Sequence, residues 1–452
     1  MTAFRGIAAA ALIAAAARAQ QPAPPSAPAP AAPAPANALT LDQAVQMALE
    51  RNFDLRRTQY QALSSAQDLI TTRAAILPKL DFNASISEIR LNGQQYSGGV
   101  PIPGATTTNY STLFAGSARL TQLVFDGGKW WNNLAAADLS LASSQANVDE
   151  QRLTTVYTVE QRFYELVRAQ RQLKVLGDAA VRSRDQADFT QRLFEGGRAT
   201  QADVYAARAN RDNDEIIRLG QEAKVELARQ DLAITIGADP AQPLAIAEPA
   251  AMQKDPSAPP PAQDAVQKAL AQRPSLKAFA FTLEAQHKSV SAAQGDYWPS
   301  LSLGAGFSRS NPEFSRFADP MLNKNSQITG SVNLAWNVFN GFATKAAVEK
   351  ARITALLAEN DLMNGRRGVA ADVEKAVAQL AVARQQALIA VQSLQTSSEN
   401  LRLARTRQQV GVGTQLEVRD AELKLTQSEL ARANALVDGR EAESALRRAT
   451  GG

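Results

Sequence analysis

The chain has 452 residues and a net charge of +4, with acidic and basic residues interleaved, so nucleic acid is not an expected partner. It contains no cysteine and one histidine, His287, which excludes disulfides and thiol nucleophiles and leaves little for metal or general-base chemistry. Hydrophobic residues make up 45% of the chain but aromatic residues only 6%, and this alanine-rich composition indicates long, thin helical packing rather than a large globular core.

Residues 1–19 predict a secretory signal peptide, with Arg5 as its basic start, a short apolar stretch and the small-x-small pattern at 17–19. Residues 20–37 are nearly all proline and alanine and predict a disordered tail. Because no cysteine follows the signal, we expect no N-terminal lipid. No later stretch is apolar enough for a spanning helix, so any membrane segment is expected to be made of strands.

Residues 38–237 predict the order helix, strand, strand, long helix, turn, helix. Thr40 is the expected N-cap of a helix that runs to Leu77, and Pro78 ends it. Alternating residues at 80–87 and 114–124 predict two strands, and the Gly-, Pro- and Thr-rich segment 92–109 predicts an exposed loop. Gln122 interrupts the apolar face of the second strand, which is therefore the weakest prediction of the set. Phe125-Asp126-Gly127-Gly128 then opens a helix of about 69 residues, on the order of 100 Å long.

The same order returns in residues 263–452, after a Pro- and Ala-rich linker at 238–262. Pro299 corresponds to Pro78 with an offset of 221 residues, and the junction Phe339-Asn340-Gly341 corresponds to that at Gly127 with an offset of 214. Strands are expected at 301–307 and 328–338, with a loop at 311–325 between them. Similarity this extended indicates a duplicated unit.

Heptad spacing predicts coiled-coil seams in both long helices. The seam residues of the first helix are Leu166, Leu173, Ala180, Ala187 and Phe194, and those of the second are Leu380, Ala387, Leu394 and Leu401. A Gly-x-x-Thr turn follows each helix, and each turn opens a further helix with its own stripe. Those stripes are Ala202, Ala209, Ile216 and Ala223 in the first repeat, and Leu416, Leu423, Leu430 and Val437 in the second.

Four strands cannot close a barrel, because single-chain membrane barrels begin at about eight strands. Open edges in lipid leave unpaired backbone groups, so we expect closure by oligomerisation. Two copies would give a tight eight-stranded barrel, and three would give twelve strands with room for a channel.

This layout, with its two proline-led strand pairs, Phe-Asp/Asn-Gly junctions and paired Gly-x-x-Thr turns, resembles the TolC-like outer-membrane efflux protein family. The resemblance implies a mainly α fold with a membrane β-barrel: a homotrimer with one 12-stranded barrel, four strands per chain, continued by a long periplasmic α-helical barrel. It implies an exit duct in outer-membrane lipid for a tripartite efflux pump or type I secretion system. The implied partners are a periplasmic adaptor and an inner-membrane RND or ABC transporter, and neither enzyme activity nor a cofactor is implied.

The resemblance also implies where function lies. It makes the turns at Gly197, Thr200, Gly411 and Thr414 adaptor-docking tips, although a plain capped helix turn would give the same pattern. It makes Glu417 and Asp420, three residues apart on one helical face, rings of acids around the periplasmic aperture. Asp203 corresponds to Glu417 and is the third residue that the resemblance implies at the aperture, but Ala206 corresponds to Asp420. Solvated surface acids are the alternative.

Two positions depart from the family. The Tyr and Arg that help to lock the closed tip in better-known members are replaced by Gln408 and Gly413, so closure is expected to depend on other contacts. The tryptophans are ambiguous, since they suit either an aromatic belt at the inner membrane interface or core packing. They are Trp130, Trp131, Trp298 and Trp336.

Two other classes of function stay open at this point. A secreted coiled-coil adaptor or structural rod would explain the helices but not the strands or junctions. A periplasmic enzyme would need clustered catalytic groups that the sequence does not offer.

Overall fold

The computed structural model describes residues 38–319 and 325–452. The predicted signal peptide and the Pro/Ala tail at 20–37 lie outside the described residues, as does part of the second loop. In the portions that are described, no helix combines the length and apolar character that crossing a membrane requires.

The secondary structure follows the predicted twofold order, with the strands in one antiparallel sheet of order β1-β2-β3-β4. The first repeat supplies α1 (Leu41–Arg51), α2 (Phe53–Ala74), β1 (Lys79–Ser97), β2 (Val100–Phe125), α3 (Lys129–Glu195) and α4 (Gln201–Thr235). The second supplies α5 (Ala262–Gln272), α6 (Pro274–Gln294), β3 (Ser300–Asn311), the short α7 (Phe314–Phe317), β4 (Ser326–Ala335), α8 (Ala343–Gln409) and α9 (Gln415–Thr450).

The single first helix expected from the stripe is wrong, because the chain breaks at Asn52. Thr40 does cap α1, in a capping box with Gln43. Asn52 then caps α2 through its side-chain oxygen, which accepts from the N–H groups of Asp54 and Leu55, each at 3.0 Å. Its amide nitrogen donates to the carbonyl of Thr235 at 3.0 Å, which fixes the break against the end of α4. In the second repeat the corresponding break lies at Arg273, before Pro274 at the start of α6.

The exposed loop expected at 92–109 is also wrong. β1 and β2 continue through this segment as a hairpin, with Arg90 opposite Tyr110 and Asn92 opposite Thr108. The turn is made by Gly98 and Gly99, both with positive φ. Threonine is favourable in strands. A Thr- and Gln-rich composition therefore fits both an exposed loop and a hairpin whose two strands extend beyond the rest of the sheet. At the other end, β4 stops at Ala335, before the expected residues Trp336 and Val338.

The register of the sheet places its apolar residues on one face. One row across the four strands reads Phe82, Ala118, Phe307 and Ile328, and the next row reads Asn83, Ser117, Ser308 and Gln327 on the opposite, polar face. β2 is paired on both sides, and Gln122 does not weaken it, because its amide donates to the carbonyls of Ile76 and Leu123 at 2.6 Å. The apolar face is uncovered over most of its area: Phe82 is 77% and Ile328 83% exposed.

The seams of the two long helices are confirmed, since most of their residues are buried: Leu166, Ala180, Ala187, Leu380, Ala387 and Leu401. The stripe predicted for α4 does not face the rest of the chain, and Ile216 is 68% exposed. α4 instead buries a neighbouring face that contains Val204, Ala207 and Ala228. In α9 Leu416 is likewise exposed, whereas Val437 is fully buried.

Candidate aperture and docking turns

The two Gly-x-x-Thr turns have the same backbone geometry. Gly197 and Gly411 adopt φ values of +72° and +81°, which glycine tolerates without a steric penalty. The following N–H reaches back to the last turn of the preceding long helix, from Arg198 to the Leu193 carbonyl at 2.7 Å and from Val412 to the Arg407 carbonyl at 3.0 Å. Each turn therefore reverses the chain within a few residues and leaves its tip exposed.

The predicted capping threonines begin the next helices. The hydroxyl of Thr200 accepts from the N–H of Asp203, and that of Thr414 accepts from the N–H of Glu417, each at 3.2 Å. Each cap satisfies one of the unpaired N–H groups at a helix start.

The acids that follow the two caps differ in their surroundings. The Asp203 carboxylate accepts from the Thr200 N–H at 2.9 Å and the Thr200 hydroxyl at 2.7 Å, and these hydrogen bonds lower the pKa of Asp203. Glu417 makes no such return bond in the structure, and its carboxylate lies 3.7 Å from Arg407. The first repeat therefore uses Asp203 to close its helix cap. In the second repeat the corresponding Glu417 stays out of the cap, at the exposed surface beside Arg407.

Asp420 lies one turn after Glu417 on the exposed side of α9. Its carboxylate contacts the ammonium group of Lys424 at 2.6 Å, and both side chains are more than half exposed. Each of the two candidate aperture acids therefore has a basic partner on the same chain. Exposed pairs of this kind contribute little to stability, but they determine the local charge.

Behind this surface, a buried ion pair joins the hairpins of the two repeats. Arg419 on α9 donates to both carboxylate oxygens of Asp214 on α4, at 2.7 and 2.8 Å. Glu422, also on α9, accepts from Arg405 of α8 at 2.9 Å, and burial raises the pKa of Glu422. Sequence reasoning missed these residues, since nothing in the heptad pattern links positions so far apart.

The strand-to-helix junctions lie at the opposite ends of the long helices. Pro78 and Pro299 directly precede β1 and β3. Gly127 has a φ of +70°, and a Cβ at this position would lie 2.4 Å from the Gly295 carbonyl oxygen. Gly341 has a similar φ of +66°, but a Cβ at this position would meet no atom within 4 Å. Only the first junction therefore needs glycine for space as well as for conformation.

The family of the chain follows from both repeats together. A profile of the family described as Outer membrane efflux protein matches residues 44–238 and 265–452. The chain belongs to this family. The resemblance to TolC-like proteins is thus confirmed, and the efflux protein is located in the outer membrane and extends into the periplasm. A secreted coiled-coil rod or a periplasmic enzyme is not favoured.

Individual relatives are distant. The efflux protein is 24% identical over 280 residues to the Fusaric acid resistance protein FusA of Burkholderia cepacia, covering 61% of the chain but only half of FusA. It is 22% identical to the Outer membrane efflux protein BepC of Brucella suis biovar 1, covering 91% of the chain and 85% of BepC. The crystal structure of the Campylobacter jejuni CmeC outer membrane channel superposes with a TM-score of 0.77 at 19% identity, covering 91% of the chain and 85% of CmeC. This similarity shows the fold.

The two departures from the family pattern have different geometries in the efflux protein. A Cβ at Gly413 would lie 2.9 Å from the backbone nitrogen of Gln408 and 3.0 Å from the carbonyl carbon of Arg407. Any side chain at 413 would therefore require the turn to shift. Gln408 itself is half-buried beside this turn.

The tryptophans differ in their burial. Trp130 is buried, and its indole N–H donates to the Thr72 carbonyl at 2.9 Å, which is core packing. Trp131, Trp298 and Trp336 are 61–65% exposed around the same junction. Phe339 and Phe342 at the second junction are also exposed, so the chain leaves a group of aromatic side chains uncovered at this end of the sheet.

Proposed function

We propose that the efflux protein works as a homotrimeric exit duct. The observation that carries this proposal is that β1 and β4 are the two outer strands of the sheet in the described residues, beside an apolar face that is mostly uncovered. Unpaired edge groups cost several kcal/mol each in hydrocarbon, on the order of a lost hydrogen bond in an apolar medium. Pairing β4 of one copy with β1 of the next removes both edges, and three copies close a twelve-stranded barrel.

The helices support the same head-to-tail arrangement. Along the half near the sheet, α2 packs on α3, α3 on α6 and α6 on α8, so that α2 and α8 form the margins. Both margins carry exposed apolar residues that a neighbouring copy would cover: Tyr60, Leu63 and Ile70 on α2, and Ile353, Leu356 and Leu357 on α8. Near the turns, α4 and α8 are the margins, and Ile216 of α4 belongs to the exposed stripe.

The stripe predicted on α4 is exposed at all four of its positions. Ala202, Ala209, Ile216 and Ala223 recur every seven residues, as expected for a seam, but no helix in the described part of the chain covers them. A seam between copies requires the same periodicity as a seam within one chain. We therefore assign this stripe to the contact of α4 with α8 of an adjacent copy.

We place the periplasmic aperture at the turns and build it from Glu417 and Asp420. Asp203 is assigned to its helix cap, because its carboxylate already accepts two hydrogen bonds from Thr200. Arg407 and Lys424 lie beside the two aperture acids, so the proposed ring is charge-balanced rather than strongly anionic.

The tips between Gly197 and Thr200 and between Gly411 and Thr414 are proposed to dock a periplasmic adaptor. Exposed apolar side chains at the second tip, those of Val410, Val412 and Leu416, support this assignment. The adaptor would connect the duct to an inner-membrane transporter of the RND or ABC type. Efflux is favoured over protein secretion, since FusA is named for resistance and BepC for efflux.

Native mass spectrometry in detergent, combined with conductance across planar bilayers, tests the proposed duct. We expect one species of three chains that forms conducting channels. A stable monomer that folds without detergent and forms no channel would exclude the proposal.

A further inference from the structure

An arginine lies on the apolar face of the sheet, where a charged side chain is unexpected. Arg309 of β3 faces the same side as Phe307 and stands in one row with Ala84 and Gly116. It is nevertheless only 6% exposed. A part of the chain therefore covers this end of a face that is elsewhere mostly exposed.

The cover is the segment 312–319 that follows β3, which contains α7. The two terminal nitrogens of Arg309 donate to the carbonyls of Asp319 and Arg316, at 2.5 and 2.7 Å. The ring of Phe317 lies over Gly116, where a Cβ would approach it to 3.3 Å. This segment folds back onto the apolar face instead of extending away from the strand ends.

Aromatic rings hold α7 in this position. The ring of Phe114 on β2 meets Phe314 edge-on at 5.3 Å between centroids and lies 6.2 Å from Phe317. Phe114 is on the apolar face, opposite Asn311 and two residues along the sheet from the row of Arg309. Phe314 remains 60% exposed, so part of its ring is available to an apolar partner outside the chain.

Membrane hydrocarbon cannot surround the segment 312–319. Irregular backbone and a charged side chain are not tolerated against lipid tails, whereas aromatic residues are favoured at the membrane interface. We propose that α7 is an interfacial anchor that binds the lipid surface of the outer leaflet, with Phe314 inserted at its boundary and Arg309 at the level of the lipid headgroups. This inference deepens the proposed duct, because it assumes that the apolar face meets lipid.

The distance to the aromatic group at the other end of the sheet supports this placement. Leu301 and Asn311 are the second and last residues of β3, about 34 Å apart along a strand at about 3.4 Å per residue. A tilt of about 40° reduces this to about 26 Å, close to the apolar band of about 25 Å in membrane barrels. Trp298 and Trp336 would then lie at one interface and α7 at the other.

The natural absence of cysteine allows a direct test with single nitroxide labels. The trimer is reconstituted in phosphatidylethanolamine–phosphatidylglycerol vesicles with a label on Ser315→Cys of α7, and its access to oxygen and to a water-soluble nickel chelate is measured. Matched labels are Val332→Cys on the apolar face, Ser308→Cys on the polar face and Val100→Cys on the projecting hairpin.

We expect the Ser315 label to lose nickel access relative to the Val100 label and to be more accessible to nickel than the Val332 label. In a Phe314→Ser/Phe317→Ser background, its nickel access should rise to that of the Val100 label. A Ser315 label as water-accessible as Val100 in the unaltered background would overturn the anchor alone. If the Val332 label is as nickel-accessible as Ser308, the sheet does not face lipid and the proposed duct itself fails.

Discussion

Arg419 and Asp214 form a two-pronged ion pair that joins α9 to α4, with nitrogen–oxygen distances of 2.7 and 2.8 Å. Their side chains are only 16% and 10% exposed. Hydrogen bonding to Asp214 raises the pKa of Arg419, so the Arg419 guanidinium is charged at any physiological pH. It ties one repeat to the other beside the proposed aperture, since Arg419 directly precedes Asp420 on α9.

Asp214→Asn should therefore be strongly destabilising. Removing one partner leaves the Arg419 charge buried without compensation, which typically costs about 3–5 kcal/mol. Thermal unfolding followed by circular dichroism in detergent measures the effect. Arg352→Gln is the matched control, since it breaks an exposed pair with Glu349 on α8 and should cost no more than about 1 kcal/mol. Equal losses of stability in Asp214→Asn and Arg352→Gln would show that the buried pair matters no more to stability than the exposed pair.

The charge balance of the proposed aperture gives a second prediction. Glu417→Gln with Asp420→Asn removes two negative charges per chain and should shift the channel toward anion selectivity. Arg407→Gln with Lys424→Gln removes the basic partners and should shift it toward cation selectivity. Reversal potentials in asymmetric KCl across planar bilayers measure both changes.

Asp203→Asn is the control for these selectivity measurements. Its carboxylate is held at the Thr200 cap, outside the proposed ring, so we expect the reversal potential to change less than in the acidic double variant. Unchanged selectivity in both double variants would remove Glu417 and Asp420 from the aperture. A response to the acidic double variant alone would leave the ring in place and discard the role of Arg407 and Lys424.

The duplicated order, the seams and the capped turns could be predicted because each depends on local spacing. The face of α4 that is buried within the chain could not be predicted, because heptad periodicity does not show whether a residue such as Ile216 contacts the same chain or another copy. Asp214 and Arg419 lie 205 positions apart, and no local pattern connects them. The break at Asn52 was missed for a related reason, since its amide is held by a carbonyl 183 positions away.

Glu422 gives a prediction about pH. Burial raises its pKa, with Arg405, Arg419 and Arg182 acting in the opposite direction. Between the ordinary glutamate pKa of about 4.3 and the raised value, the folded state binds more protons than the unfolded state. The contribution of Glu422 to stability is therefore greatest below the ordinary pKa and decreases as the pH rises through this window.

Melting temperatures of the unaltered protein and Glu422→Gln, measured from pH 4 to pH 7, test this sign. The difference, variant minus unaltered protein, should become more positive as the pH rises, because glutamine carries no buried charge. Glu399→Gln is the control, since Glu399 pairs with Arg402 at an exposed site of α8. A difference for Glu422→Gln that is flat, or that falls with pH, contradicts the prediction.

The two strand-to-helix junctions should respond differently to the same substitution. A methyl group on Gly127 would lie 2.4 Å from the Gly295 carbonyl oxygen and 2.8 Å from the Cβ of Trp298, and only movement of the backbone can relieve these contacts. Gly127→Ala should therefore displace the start of α3 from the end of α6 and reduce the yield of folded trimer.

Gly341→Ala encounters no atom within 4 Å and should cost only the left-handed conformation, about 1–2 kcal/mol. Comparing trimer yield and melting temperature for the two variants separates crowding from conformation. Equal losses would mean that positive φ alone makes glycine necessary at both junctions. A smaller loss for Gly127→Ala would mean that the contacts with Gly295 and Trp298 relax, because the two φ values are nearly the same.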